Sequence, residues 1–221
     1  MLGITAFDLR REDVDLGQII QENHHFSERR TVNGFEEELI TWIHTNEMTD
    51  SGYRNYRIIT DEVLDYRVRI RGEVLDQVIK QGWYEVYYHP TRHRLVALCK
   101  KEEAFKVAKL FQEKFDLLFE KHTFNILEII RQSSDVSGAR FEVQIETVSG
   151  ISLRGNNIHN TQYYANMLQA GELKGVTVKF DYGDRTVTFF VSIEGTLLFY
   201  SALEDHEYLN FIDMLYSFDN R

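Results

Sequence analysis

The stretch VTVKFDYGDRTVTFFVSIEGTLLFYSA, residues 176–202, decides the fold. Its apolar residues fall into three β-rich runs, Val176–Phe180, Thr186–Ile193 and Thr196–Ala202, broken at Asp181-Tyr-Gly-Asp184 and at Glu194-Gly195. Short gaps rich in Gly and Asp between such runs are hairpin signals, so the stretch reads as an antiparallel meander. Glu204–Ser217 follows with helical periodicity and acids at its start, which suit the positive end of a helix. Strands that pair with their sequence neighbours and are then closed by an amphipathic helix define an α+β class, antiparallel sheets backed by helices.

Working outward, Arg140–Thr147 alternates Phe141, Val143 and Ile145 with Glu142, Gln144 and Glu146, the pattern of a half-buried strand. Asn160 or Thr161 opens a helix that ends near Gly171 or Gly175. Leu2–Leu9 reads as a strand, and Val14–Gln21 as a short helix with Leu16, Ile19 and Ile20 inward. Asn33-Gly-Phe-Glu36 reads as a helix start, with Leu39, Ile40 and Ile43 on the apolar face of that helix. Tyr66–Arg71 alternates strictly and is predicted as a strand. Glu73–Gln81 is predicted as a helix closed by Gly82. Strands follow at Trp83–Tyr88 and Arg94–Lys100. A long helix over Lys101–Glu120 turns Phe105, Ala108, Phe111, Phe115 and Leu118 to one side.

The two halves share an order of strand, helix, antiparallel strands, helix, which suggests two pseudo-repeats. Residues 1–131 form an N-terminal α+β half, 132–138 a short polar connection, and 139–221 a C-terminal α+β half. With 1 Pro and 13 Gly in 221 residues, no flexible linker stands out.

The net charge is −10, but it is segregated: −6 over residues 1–49, +2 over 50–122 and −6 over 123–221. An acidic total argues against non-specific nucleic-acid binding, while screening over roughly 10 Å at 0.1 M salt leaves a local basic patch free to act. One Cys excludes an internal disulfide framework. No segment has the length of a signal peptide or a membrane span, so the expectation is a cytoplasmic chain that does not engage a membrane.

The sharpest chemical feature is Arg67, Arg69 and Arg71. On a strand they share one face about 6.5–7 Å apart, close to the phosphate spacing of a single nucleic-acid strand. Arg54 and Arg57 lie among Tyr53 and Tyr56, and Arg92 and Arg94 lie near Tyr87 and Tyr88. Arg forks onto phosphate oxygens and Tyr stacks on bases. These seven arginines are the candidate nucleic-acid-binding residues. The alternative is that neighbouring acids such as Glu85 pair with them.

For a Mg²⁺-dependent nuclease the candidates are Asp135, Glu142 and Gln144, since such enzymes gather the ion on carboxylates. The same residues also suit the solvent face of a strand. Gly155–Thr161, preceded by Arg154, runs into a helix start of the kind that can hold an anion. His24, His25, His89 and His93 lack metal-binding spacing, and neither a metal nor a cofactor is expected. Cys99 reads as a buried small residue. The leading expectation is a non-catalytic DNA- or RNA-binding or accessory subunit. A protein–protein adaptor or homo-oligomeric scaffold is the second reading, and the nuclease is the third.

Overall fold

The computed structural model describes residues 1–10, 16–145 and 147–219. Val14, where the sequence starts its first helix, and Glu146, at the end of the alternating strand, lie outside the described residues.

In chain order, β1 (Leu2–Leu9) leads through a one-turn helix, α1 (Leu16–Ile19), to three long strands: β2 (His24–Val32), β3 (Phe35–Met48) and β4 (Arg54–Leu64). A small hairpin, β5 (Val68–Ile70) with β6 (Glu73–Leu75), precedes β7 (Val78–His89), β8 (Arg94–Ala97) and helix α2 (Lys101–Phe115). Next come β9 (Phe119–Lys121), α3 (Ile126–Gln132), β10 (Asp135–Ile145), β11 (Val148–Arg154) and a 3₁₀ turn at Ile158–Asn160. The chain closes with α4 (Gln162–Ala170), β12 (Gly171–Tyr182), β13 (Arg185–Ser192), β14 (Thr196–Phe199) and α5 (Asp205–Tyr216).

Among the described residues these elements make a mixed α+β architecture, a twelve-stranded antiparallel sheet with five helices. The sheet runs β11-β10-β12-β13-β14-β1-β8-β7-β4-β3-β2, and β9 pairs with the far end of β1. β1 is therefore the hinge strand of the whole sheet. It holds β14 through Leu2–Thr5 and β8 through Thr5–Asp8.

The period of two along β1 divides the core. Ile4 and Ala6 point to one side, where Phe189, Phe199 and Leu197 pack with Leu209, Phe211, Ile212 and Leu215 of α5. Phe7 and Leu9 point to the other, where Tyr56, Ile58, Leu95 and Ala97 meet Val107, Ala108 and Phe111 of α2. Thus α5 covers the C-terminal half of the sheet on one side, and α2 covers the N-terminal half on the opposite side. Two sheet faces stay open as a result: the α2 side of β10 to β14, and the α5 side of β2, β3, β4 and β7 away from Tyr53 and Tyr87, which are buried against α5.

In the second half the meander and the helices α4 and α5 stand where the sequence places them, while β10 starts at Asp135, five residues before the strand read from its alternation, and β11 is an added strand. Thr161 caps α4 by accepting the Tyr164 amide, and Glu204 and Glu207 form a reciprocal capping box on α5. The N-terminal half corrects several expectations. Asn33-Gly34 is not a helix start but a two-residue turn with both φ angles positive, joining β2 to β3. That pair is the preferred hairpin turn because Gly and Asn tolerate left-handed backbone. The Asn33 side chain accepts the Asp76 and Gln77 amides and donates to the Gln77 carbonyl, stapling this hairpin to the entry of β7.

Glu73–Gln81 is likewise extended, as β6 and the start of β7, and not helical. Gly82 is no helix cap. It lies in β7 beneath the Tyr84 side chain, and a Cβ there would come within 2.4 Å of the Tyr84 hydroxyl. Helix α2 is shorter than its apolar period suggests, because Asp116 turns the chain left-handed and stops it. Phe105 and Ile19, both expected inward, are 41% and 37% exposed. No helix among the described residues is long and apolar enough to cross a membrane.

Candidate nucleic-acid interface

The predicted arginine stripe does not form a stripe. Only Arg69 lies inside β5. Arg67 precedes the strand, and Arg71 occupies the turn with a positive φ, so the period-two alignment of the three is lost. Their hairpin projects from the sheet with no core beneath it: Tyr66 and Ile70, on the face opposite the arginines in a regular strand, are 65% and 52% exposed. Arg67 lies 3.6 Å from Asp76, with both side chains in water. Arg69 and Arg71 are exposed and have no ion-pair partner among the described residues.

The other four arginines separate. Arg54 is half-buried at the start of β4, on the opposite sheet face from Arg57. Arg57 pairs with Glu85 across the strands at 3.3 Å. Arg92 and Arg94 converge on Asp213 of α5 at 2.5 and 3.6 Å, and Arg94 also lies 3.5 Å over the Tyr216 ring. Tyr53 donates its hydroxyl to the same carboxylate at 2.7 Å. Burial and the Asp213 charge together push the Tyr53 phenol well above its ordinary value. A second tyrosine, Tyr87, binds Asp205 in the same manner, and burial followed by that hydrogen bond raises its pKa too. Arg92 and Arg94 therefore tie α5 to the sheet.

What gathers on the open α5-side face is aromatic. His25, Trp42, Ile59 and Trp83 stand directly opposite one another across β2, β3, β4 and β7. His44, Arg57 and Glu85 form the next rung. Trp83 is 62% exposed and Trp42 42%. The His25 ring meets Trp42 edge-on at 5.2 Å, and His44 lies tilted 5.5 Å from the same indole. A shallow groove of about 320 Å³ runs beside Trp83, Arg57, Glu85 and Leu98. With strands 4.7–4.9 Å apart, the two indoles sit roughly 10 Å from each other, with Ile59 between them.

The nuclease candidates do not converge. Asp135 and Glu142 are seven positions apart on one strand, about 23 Å at the usual rise. Asp135 is held by Lys179 at 2.8 Å and by the Asn157 amide at 2.6 Å. The Lys179 bond first, then the amide, draws its carboxyl below the ordinary range. Glu142 pairs with Lys174, and Gln144 is exposed. No group of three or more His, Cys, Asp or Glu suited to a metal ion occurs among the described residues. Cys99 is half-buried, and burial pushes its thiol up to about 12, away from nucleophilic use.

No protein-family model matches the chain, and no curated protein is similar to it in sequence.

Proposed function

We propose that this chain is a non-catalytic accessory subunit that binds single-stranded DNA or RNA on the open face of β2, β3, β4 and β7. The observation that carries the reading is the rung His25–Trp42–Ile59–Trp83, with two solvent-facing indoles on one uncovered sheet surface. An antiparallel sheet whose aromatic side chains stand free offers a stacking surface for unpaired bases, because every base has a π face. Arg57 borders the indoles on one side of the rung, and the hairpin carrying Arg69 and Arg71 joins β4 to β7 at the other end of those strands, beyond Leu64. Arg92 and Arg94 have no part in this interface.

A direct assay exists because Trp42 and Trp83 are the chain's only tryptophans. Titration with oligo(dT) or oligo(U) at about 50 mM salt is expected to quench intrinsic fluorescence. Trp83→Ala should weaken binding by about 1–3 kcal/mol, the worth of one base–aromatic stack. Unchanged fluorescence together with no mobility shift would remove the proposal.

A second reading is favoured by the same cluster's composition. Trp and Arg are the residues on which protein interfaces concentrate their energy, so the face would then seat a protein partner or a second copy. A solution mass above the 26.1 kDa monomer that reverts in Trp42→Ala/Trp83→Ala would select it.

The fold itself supports an internal duplication. β7-β8-α2 and β13-β14-α5 flank β1, and their helices lie on opposite sides, as a two-fold axis along β1 would require. Buried Ala104, Val107, Ala108 and Phe111 then correspond to buried Tyr208, Phe211, Ile212 and Leu215.

A further inference from the structure

The second open face, on the α2 side of β10 to β14, holds a hollow of about 540 Å³. Arg140 and Arg154 both line it, and no Asp or Glu does, in a chain with 35 acidic residues. The comparable hollow beside α2 is different: there Arg30, Lys106, Lys109 and Lys114 are interleaved with Glu28, Asp61, Glu62 and Glu113. Arg140 opposes Ser152 across β10 and β11, which makes Arg154 its diagonal neighbour, about 7–8 Å away at the backbone. Neither guanidinium has an ion-pair partner among the described residues.

Arg140 is instead positioned by a ring. Its guanidinium lies 4.9 Å over Phe190. Phe190 can lie across the strand there because position 175 is glycine: a Cβ would come within 2.5 Å of the Phe190 ring. A cation steadied by an aromatic face keeps its charge available, whereas one held by a carboxylate does not. The hydroxyls of Ser152 and Thr177 line the same hollow, and Tyr200, 43% exposed, stands at its wall.

We propose that this hollow binds a nucleoside monophosphate, with the phosphate between Arg140 and Arg154 and the base on Tyr200. Two unneutralised guanidiniums and adjacent hydroxyls fit a phosphate, whose oxygens accept every bond these groups donate. The exposed phenol ring supplies a stacking surface for a planar base. This site lies across the sheet from the tryptophans and does not depend on the single-strand reading.

The test is calorimetric titration of the full chain with AMP, inorganic phosphate and adenosine. AMP is expected to bind most tightly, and to leave tryptophan fluorescence unchanged because Trp42 and Trp83 lie on the opposite face. Arg154→Gln should weaken AMP by about tenfold or more, and Arg140→Gln/Arg154→Gln should abolish it. Tyr200→Ala should weaken AMP while sparing phosphate. Arg154 is exposed on an edge strand, so its single variant keeps the test open should the double variant fold poorly. Absence of AMP binding at millimolar concentration, or equal AMP affinity in wild type and Arg154→Gln, would overturn the site. Phosphate binding as tightly as AMP would overturn the nucleotide assignment. Oligonucleotide quenching of the tryptophans would be untouched by either failure.

Discussion

Replacing Asp213 by Ala removes one carboxylate that serves three partners. Its side chain is 18% exposed, Arg94 is 19% exposed, and Arg92 is 46% exposed. The Tyr53 hydroxyl bond to this carboxylate contributes about 1.5–3 kcal/mol as a bond to a charged group. The Arg94 contact approaches the cost of opening a buried pair, about 3–5 kcal/mol, while the Arg92 contact is discounted because half of it is in water. These contributions overlap, since all three partners share one carboxylate, and about 3 kcal/mol is a reasonable total. With 221 residues and an unfolding entropy of about 2.1 cal/mol/K per residue, that corresponds to a fall of about 6 °C in Tm. Calorimetry or thermal circular dichroism reads it. A double-mutant cycle with Arg94→Met should show coupling of at least about 1 kcal/mol, as expected of residues in contact. The same variants should leave oligonucleotide affinity unchanged, because their charge is committed to α5. A Tm shift below about 1 °C, or Arg92→Met and Arg94→Met lowering oligonucleotide affinity at constant Tm, would refute the assignment of these arginines to the fold.

Two other outcomes follow from burial and charge. Phe111→Ala, at a fully buried ring, should cost about 3–5 kcal/mol in denaturant melts, while Phe105→Ala on the same helix, 41% exposed, should cost far less. Asp135 has a folded-state pKa below its ordinary 3.8, so the folded state binds fewer protons than the unfolded one. Its contribution is complete above the unfolded value and is lost as pH falls through the folded value. Wild type should therefore be the more stable at neutral pH, and Asp135→Asn should approach it in stability as pH falls below the ordinary carboxylate value.

The parts of the fold legible in the sequence are those where local and tertiary signals agree. In 176–217, alternation, positive-φ glycines at turns and a capping box all point the same way, and strands and helix fall where expected. The N-terminal strands lack that agreement. β3 is 14 residues long, yet only Ile43 in it is fully buried, so it carries no period-two apolar signal. Leu39, Ile40 and Ile43 then imitate a helix stripe, and Asn33 followed by Glu36 imitates a helix start. The aromatic rung was invisible for a related reason. Trp42 and Trp83 are 41 positions apart, and only strand register brings them together with Ile59 between. Arg154 stands out before its polar loop, whereas Arg140 is one charged position in an alternating strand, and only the pairing of β10 with β11 brings the two together. Local charge does not reveal that Arg92 and Arg94 are neutralised, because their carboxylate lies more than 100 positions away.

Which cations are free also sets the salt dependence that single-strand binding should show. Four strands span roughly 15 Å, and a single strand advances about 6–7 Å per phosphate, so the aromatic face itself holds two or three nucleotides. Arg69 and Arg71 have no ion-pair partner among the described residues, and Arg57 shares Glu85. A strand that runs on from the indoles along β4 to the hairpin neutralises two to three phosphates, and log Kobs against log salt should then fall with a slope of about −1.4 to −2.1 for a single strand. Stacking, which salt barely screens, supplies the remainder, so raising salt should weaken binding only moderately while Trp83→Ala weakens it at every salt concentration. A slope near −5 would require about seven phosphate contacts, more than the free cations beside this face can make. That result would move the interface elsewhere on the molecule, whatever the tryptophans report.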